Sequence, residues 1–250
     1  RGGCGAAMSP PELLEIRELR KSFGGIVAVD QLGLVVGDGE LVGLIGPNGS
    51  GKTTLLNVVT GYYPPEHGTI RLRGRGIGGR SPHQIFRAGI VRMFQHVKIF
   101  RRLTASENLE VAGRAAGLPA GASRQRAARL LDRLGLASHT HDEVGGLSGG
   151  QQKLVEFGGC FMSEPTLVVL DEPFAAIHPT VKQTMVDVIV ERHAAGQAFL
   201  VVSHDIPAIM RLCPRTVCMN AGTVIADGST EAVMAEHAVV EAYLGGHATR

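Results

Sequence analysis

The sequence lacks several features that would assign it to a specialised class of protein. It contains no tryptophan and only 4% aromatic residues, and no apolar run approaches the ~20 residues that a membrane-spanning helix needs. Its four cysteines show neither a CxxC pair nor a metal-ligand spacing, so we interpret them as free thiols in a reducing compartment. An apolar signal segment is also missing. We therefore expect a soluble, cytoplasmic protein, which is compatible with docking on a membrane protein.

The chain also has no large excess of positive or negative charge. Lysine and arginine total 25 against 23 aspartate and glutamate, so the net charge gives no reason to expect nucleic acid or an acidic membrane surface as a partner. The local basic cluster RLRGRGIGGR, at 71–80, is interpreted as a solvated turn region. Residues 1–10 are expected to be disordered or added to the native chain, with Met8 as a candidate native start.

Short apolar runs alternate with helical patterns along most of the chain, which favours an α/β fold with a largely parallel sheet. The clearest core strands are Leu41–Ile45, Thr166–Leu170 and Phe199–Val202, and polar residues follow each of them. Residues 13–37 are interpreted as shorter strands separated by glycine turns in an antiparallel arrangement, joined by GTIRLRG at 68–74. The sequence thus predicts a parallel core sheet with a smaller antiparallel sheet near the N-terminus.

Strand patterns disappear between about residues 98 and 157, where alanine, arginine and leucine dominate. In RQRAARLLDRLGL, residues Ala127, Leu130, Leu131 and Leu134 share one helical face. We expect a helical subdomain inserted into one domain at 11–245, with α/β core segments at about 11–97 and 158–235. A later helix should begin near Pro179 with Gly196 as its C-cap, and another at about 230–244.

A glycine-rich segment contains the strongest local signal in the chain. GPNGSGKT matches GxxxxGK[ST] in full, after the strand LVGLI and before the helical TTLLNVVTG. In such a loop the backbone N–H groups converge on phosphates, Lys52 adds a positive charge, and Thr53 offers its hydroxyl to Mg²⁺. The predicted nucleotide-binding residues here are Gly46, Pro47, Asn48, Gly49, Ser50, Gly51, Lys52, Thr53 and Thr54.

Polar residues at the ends of other predicted strands supply candidate catalytic groups. Asp171 and Glu172 follow TLVVL: the first suits Mg²⁺ coordination through water, the second orienting or deprotonating the attacking water. His204, after FLVVS, is a candidate donor to the γ-phosphate. Gln95, after IVRMF, is a candidate for contact with Mg²⁺ or the attacking water. Together with Lys52, these residues form the predicted catalytic set.

Two further features are ambiguous when taken alone. Phe23 is either an adenine-stacking aromatic or a core phenylalanine. In LSGGQQKLVEF, Ser148 and Gln151 form a capping-box pattern. The intervening Gly149 and Gly150 leave room for an anion at the N–H groups of a helix start. An ordinary helix start fits the same pattern.

The order of these motifs resembles that of an ABC-transporter ATPase subunit from about Leu13 to Leu244, and LSGGQ is the motif specific to that family. The resemblance implies a P-loop NTPase (RecA-like) core with an N-terminal antiparallel β subdomain and an inserted α-helical subdomain. By the same resemblance, Phe23 stacks on adenine, Gln95 is the Q-loop residue and His204 is the switch histidine. Residues 148–151 would act in trans, on an ATP held by the partner ATPase subunit.

A finer resemblance concerns the transported substrate. GIVRMFQHVKIF, LTASENLEVA, GQQKLVEF and VVEAYLGG are similar to segments in ATPases of branched-chain amino-acid uptake systems. IFRRLT is also similar to the ATPase of lipopolysaccharide export, which leaves lipid export as an alternative. A soluble ABC ATPase without a transport role is a further alternative. The D-loop departs from the family pattern, because His178 stands where Asp or Asn is usual.

The resemblance implies a Mg²⁺-dependent ATPase that drives uptake of branched-chain or related amino acids. Its expected partners are a second ATPase subunit, identical or different, two membrane permease subunits and, indirectly, a solute-binding protein, with no nucleic acid. We expect the subunit to lie at the cytoplasmic face of the membrane. The groove at about residues 85–108 is expected to receive a helix of the permease.

Overall fold

The structure is a computed structural model that describes residues 11–244. The expectation for residues 1–10 lies outside this range, as does the thiol of Cys4. Ten strands of the described range form two sheets, one with six strands and one with four. The α/β fold expected from the sequence is confirmed.

The six-stranded sheet forms the centre of the fold. Its strands are β3 (Leu41–Ile45), β6 (Ile90–Met93), β7 (Leu167–Asp171), β8 (Ala198–Val202), β9 (Arg215–Asn220) and β10 (Thr223–Ser229). Their order is β10-β9-β3-β8-β7-β6, with only the β9–β10 pair antiparallel. Every residue of β3, β7 and β8 is buried, as expected for parallel strands covered on both faces. The carboxyl ends of five strands therefore meet at one edge.

The four-stranded sheet is antiparallel and has the order β2-β1-β4-β5. Its strands are β1 (Glu12–Phe23), β2 (Ile26–Gly37), β4 (His67–Leu72) and β5 (Arg75–Gly76). The expectation of short strands between residues 13 and 37 is wrong, because this region forms two 12-residue strands. Bulges interrupt their pairing at several points without ending them. The segment at 68–74 joins this sheet through β4, as expected.

Nine α-helices in the described range lie between the strands or after the last of them. They are α1 (Lys52–Val59), α2 (Pro82–Ala88), α3 (Ala105–Ala115), α4 (Ala120–Arg133), α5 (Gly149–Gly159), α6 (Pro179–Ala194), α7 (Ile206–Leu212), α8 (Thr230–Ala235) and α9 (His237–Leu244). The segment at 230–244, predicted as one helix, is two helices that meet at Glu236, whose backbone is extended. Helix α6 begins at Pro179 as expected. Its C-cap is Ala195, and Gly196 follows with a positive φ.

Helices α3, α4 and α5, which follow β6 and precede β7 in the sequence, pack on one another. Leu109, Ala127, Leu131 and Phe157 are fully buried where these helices meet, so the apolar face expected on α4 is correct. The limits of the helical subdomain at 98–157 stay a prediction. Across residues 11–244, we find no helix with both the length and the apolar character needed to span a membrane.

Candidate nucleotide-binding site

The phosphate-loop segment leaves the end of β3 and enters α1. Two of its glycines occupy positions that exclude any side chain. A Cβ on Gly46 (φ 148°) would lie 2.1 Å from the carbonyl oxygen of Met219, and one on Gly51 (φ 102°) would lie 2.3 Å from that of Ala28. These positive φ values and close backbone contacts require glycine. The loop is therefore folded tightly against β2 and the end of β9.

Lys52 lies across the loop. Its Nζ donates hydrogen bonds to the carbonyl oxygens of Gly46 and Pro47, at 2.7 and 3.0 Å, and to Oγ of Ser50, at 3.2 Å. Burial lowers the pKa of Lys52, and the nearby carboxylates of Glu172 and Asp171 act in the opposite direction. Within residues 11–244 no carboxylate forms an ion pair with it. The ammonium group is therefore held by neutral oxygens that an anionic ligand can replace.

A cavity of about 750 Å³ opens above the loop. The structure brings the loop together with the strand-end residues expected from the sequence, since the cavity is lined by Gly46–Thr54, Gln95, Asp171, Glu172 and His204, with Ala28, Val202 and Tyr243. This arrangement follows from the parallel sheet, because the carboxyl ends of β3, β6, β7 and β8 lie side by side.

Glu172 lines this cavity, and three polar groups contact one of its carboxylate oxygens. It is 9% exposed, and its Oε2 accepts hydrogen bonds from Oγ of Ser203, at 3.2 Å, and from the backbone N–H of His204, at 3.3 Å. Nδ1 of His204 lies 2.8 Å from the same oxygen. The carboxylate is thereby fixed in one orientation facing the phosphate loop. The imidazole of His204, expected at the γ-phosphate, contacts Glu172 in this structure.

Asp171 is paired with Arg92, which is not among the site residues predicted from the sequence. Arg92 Nη2 lies 2.7 Å from Oδ2 of Asp171, and the two side chains are 5% and 7% exposed. Nη1 of Arg92 also donates to Oδ1 of Asn57, at 2.7 Å, and to Oγ1 of Thr60, at 3.2 Å. A buried pair of this kind depends on both partners, because either charge alone would be strongly unfavourable.

The donor atoms around the cavity suit a magnesium ion. Thr53, Gln95 and Asp171 all line the cavity and offer hydroxyl, amide and carboxylate oxygens, which are the ligands that Mg²⁺ prefers. Residues 11–244 hold no cluster of three His, Cys, Asp or Glu side chains able to form an all-protein metal cage. A few oxygen ligands combined with phosphate and water are typical of nucleotide-bound Mg²⁺, so the residues fit this ion. Their assignment stays a prediction.

Phe23 lies outside this group of residues. It is the last residue of β1, is 41% exposed and makes an edge contact with Tyr63, with 5.1 Å between ring centroids. Nζ of Lys21 lies 5.2 Å from the same ring. Phe23 is therefore a surface aromatic and not a core phenylalanine. Its adenine-stacking role stays a prediction.

The second glycine motif begins α5 and does not line the cavity. Ser148 is the N-cap: its Oγ accepts from the N–H of Gln151, at 3.3 Å, and Oε1 of Gln151 accepts from the N–H of Ser148, at 2.9 Å. The predicted capping box is therefore correct. Ser148 and Gly149 are exposed, and the helix start of α5 is open to solvent.

Two other contacts link distant segments to the site. Lys153, in α5, is 4% exposed, and its Nζ donates to the carbonyl oxygens of Glu172, at 3.3 Å, and Ala175, at 3.1 Å. The hydroxyl of Tyr243 accepts from the N–H of Gly46, at 2.8 Å. Lys153 and Tyr243 lie within segments that carry the family resemblance, but neither is among the site residues predicted from the sequence.

A second hollow, of about 330 Å³, lies beside the helical region. Its lining includes Ile85, Phe86, Phe100, Val111 and Glu156, so it coincides with the groove expected at residues 85–108. Oε1 of Glu156 accepts from the N–H of Lys98, at 3.1 Å, whereas its Oε2 is buried without a hydrogen-bond partner. Burial raises the pKa of Glu156 to about 7, against smaller opposing effects of neighbouring N–H groups and lysines.

Comparison with known proteins agrees with this geometry. The family model described as ABC transporter matches residues 29–175, and the one described as Branched-chain amino acid ATP-binding cassette transporter matches residues 223–249. The chain is 39% identical to the high-affinity branched-chain amino acid transport ATP-binding protein LivG of Salmonella typhimurium, over 95% of this chain and 99% of LivG. It is 37% identical, with the same coverage, to BraF of Pseudomonas aeruginosa, which is described in the same words.

Solved structures agree with this relationship. A crystal structure of an ATP-binding cassette of an ABC transporter in its ADP conformation superposes with a TM-score of 0.84 at 31% identity, covering 94% of this chain and 99% of that one. A nucleotide-free ATP-binding cassette gives the same TM-score at 30% identity, with 93% and 98% coverage. Sequence identity over nearly the whole length, a matching family model and a shared fold all lead to one conclusion: the chain belongs to the family of ABC-transporter ATP-binding subunits.

Proposed function

We propose that this protein is the Mg²⁺-dependent, ATP-hydrolysing subunit of an importer for branched-chain or related amino acids. The observation that carries the proposal is the single cavity in which the phosphate loop faces Glu172, a carboxylate held by Ser203 and His204. The importer assignment is supported by LivG and BraF, whose names state branched-chain amino acid transport. The match of residues 223–249 to a family model of that group supports it further.

In this proposal, each residue lining the cavity has a distinct role in ATP binding or hydrolysis. The N–H groups of the loop and the start of α1 bind the phosphates, while Lys52 moves from the carbonyl oxygens of Gly46 and Pro47 to the phosphate oxygens. Thr53, Gln95 and Asp171, the last through water, would hold Mg²⁺, and the ion would supply positive charge to the outer phosphates. Glu172 orients the attacking water and accepts its proton. His204 holds Glu172 and donates to the γ-phosphate once nucleotide is bound.

The exposed start of α5 supports a site shared between two subunits. Residues 148–151 lie outside their own chain's cavity, yet Ser148 and two glycines leave the N–H groups of this helix start accessible to an anion. In the proposed dimer they face the γ-phosphate of the ATP bound to the partner subunit. Each ATP is then bound by the loop of one chain and the signature of the other. Loss of ATP-dependent association after Ser148→Arg would support this arrangement, and unchanged association would contradict it.

The groove beside the helical region is the proposed contact with the permease. Phe100 is 58% exposed at its rim, and Val97 and Val111 are 37% and 40% exposed nearby. An apolar groove between α2, β6 and α3 is suited to a short helix of a membrane subunit. Contact with a pair of permeases would hold the protein at the cytoplasmic face of the membrane. Purification of the native complex with permeases and a solute-binding protein tests this, and export components in their place would contradict it.

The hydrolytic assignment is tested by Glu172→Gln. The amide keeps the shape of the side chain but cannot accept the proton from water, so we expect turnover to fall by about 100-fold or more. ATP binding should be retained, whereas the matched variant Lys52→Ala should lose it. Turnover is measured by phosphate release and binding with a fluorescent ATP analogue. Near-normal phosphate release by Glu172→Gln would refute the role of this carboxylate.

A further inference from the structure

The last described helix reaches the phosphate loop from the far end of the chain. Tyr243, in α9, lies 197 residues from Gly46, yet its hydroxyl oxygen is 2.8 Å from the N–H of Gly46. Tyr243 also lines the nucleotide cavity. This helix lies in the C-terminal segment that matches the family model for branched-chain amino acid cassettes, at 223–249. That segment therefore contributes a polar atom to the nucleotide site.

The N–H of Gly46 needs this partner. Pairing of β3 with β9 ends at Ile45 opposite Cys218, so Gly46 lies one residue beyond the ladder. Gly46 is buried, and among residues 11–244 the Tyr243 hydroxyl is the acceptor found for its N–H. A buried backbone donor without an acceptor is unfavourable. Replacing the hydroxyl would leave this N–H without an acceptor and would remove one of the two contacts that hold Gly46.

The same glycine is held from its other side by Lys52, which donates to its carbonyl oxygen at 2.7 Å. Lys52 must release this oxygen when it moves to the phosphates. Tyr243 contacts a different atom, the N–H of Gly46, so release of the carbonyl oxygen by Lys52 does not remove this hydrogen bond. Burial raises the pKa of Tyr243 to about 12, so the hydroxyl stays neutral at physiological pH. A neutral hydroxyl oxygen accepts from the N–H without adding negative charge beside the phosphates.

We propose that Tyr243 is a positioning residue of the nucleotide site: its hydroxyl fixes the start of the phosphate loop so that the loop N–H groups converge on ATP. The inference rests on the proposed function, since it concerns nucleotide bound at this loop. A loop-positioning contact acts on substrate and transition state alike. Its loss should therefore raise KM and leave kcat nearly unchanged.

Tyr243→Phe removes the hydroxyl and keeps the ring. The matched control is Val240→Ala, because Val240 lies on the same helix, is 42% exposed and does not line the cavity. With a fluorescent ATP analogue and Mg²⁺, we expect the Kd of Tyr243→Phe to rise about fivefold or more, as loss of a buried hydrogen bond implies. KM for ATP should rise in parallel, kcat should change less than twofold, and Val240→Ala should bind as the wild type does.

Other results would overturn the inference in distinguishable ways. If Tyr243→Phe binds the analogue as the wild type does and only its melting temperature falls, Tyr243 has a structural role alone. If neither the wild type nor Val240→Ala binds the analogue, the proposed function fails and the inference fails with it. Should Tyr243→Phe not fold, hydrogen exchange in the wild type decides. The amide of Gly46 should stay protected with and without ADP, and rapid exchange in either state would refute the contact.

Discussion

The carboxyl group of Glu156 should make this protein less stable as the pH rises. Burial raises its pKa from 4.5 to about 7, because the loss of water around the carboxylate outweighs the opposing effects of neighbouring N–H groups and lysines. The folded protein therefore holds the proton at pH values where the unfolded chain has already released it. The stability associated with the protonated form is fully present below pH 4.5 and is lost as the pH approaches 7.

The size of this effect follows from the two pKa values. One pKa unit corresponds to about 1.4 kcal/mol, and the loss between pH 5 and pH 8 comes to about 2.5 kcal/mol. Glu156→Gln is neutral at every pH and retains an oxygen that can accept from the N–H of Lys98. We compare the free energy of unfolding of the variant with that of the wild type at each pH. The difference, variant minus wild type, should be about 2.5 kcal/mol larger at pH 8 than at pH 5.

Urea denaturation of both proteins at the two pH values measures this difference. The control is Glu12→Gln, in which the amide replaces an exposed carboxylate at the start of β1, and this variant should follow the wild type. A difference between Glu156→Gln and the wild type that is the same at pH 5 and pH 8 would refute the reasoning. It would mean that the pKa of Glu156 in the folded state is close to its ordinary value.

Two further predictions concern α5 and α6. Lys153→Met removes the donor to the carbonyl oxygens of Glu172 and Ala175, so phosphate release should fall about tenfold or more and unfolding should become easier by about 1–3 kcal/mol, with ATP binding retained. Unchanged phosphate release would show that this contact does not position Glu172. His178 caps α6 through Nδ1, which accepts from the N–H of Thr180 at 3.3 Å. Asparagine is a preferred N-cap, so His178→Asn should raise the melting temperature by a few degrees, and a lower value would contradict the cap.

The sequence predicts the strand–loop–helix arrangement around residues 46–54 because its parts are local. A strand, a glycine-rich turn and a helix start are contiguous, so the backbone N–H groups of the loop must converge whatever surrounds them. The strand-end residues Asp171, Glu172 and His204 are predicted for a related reason. Parallel strands share one edge, so residues that follow separate buried strands are brought together by topology alone.

The supporting contacts could not be predicted in this way. Arg92 pairs with Asp171 across 79 residues, and Tyr243 reaches Gly46 across 197. Such contacts depend on which strands are neighbours and on how helices pack, and no local periodicity encodes either. Lys153 is a further case, because a lysine in a helical pattern suggests an exposed position, whereas two carbonyl oxygens hold this one in the interior.

The antiparallel sheet was predicted in type but not in strand length. Glycine turns are expected between residues 13 and 37, yet Gly33 lies inside β2. Positive φ values at Glu18 and Gln31 accommodate irregular pairing within β1 and β2. A bulge bends a strand and continues it, whereas the same residues in a sequence suggest that the strand ends. The distinction depends on the partner strand, which the local sequence does not specify.

The location of the signature follows from the same topology. Residues 46–54 and Glu172 lie at one edge of the sheet, whereas Ser148 begins a helix on the helical side of the fold and is exposed. The phosphate loop and Glu172 therefore line one cavity, and the start of α5 does not line it. Two chains arranged head to tail would bring each helix start to the other's loop. In the proposed dimer each site uses the phosphate loop of one subunit and the helix start of the other, so both glycine motifs have a role.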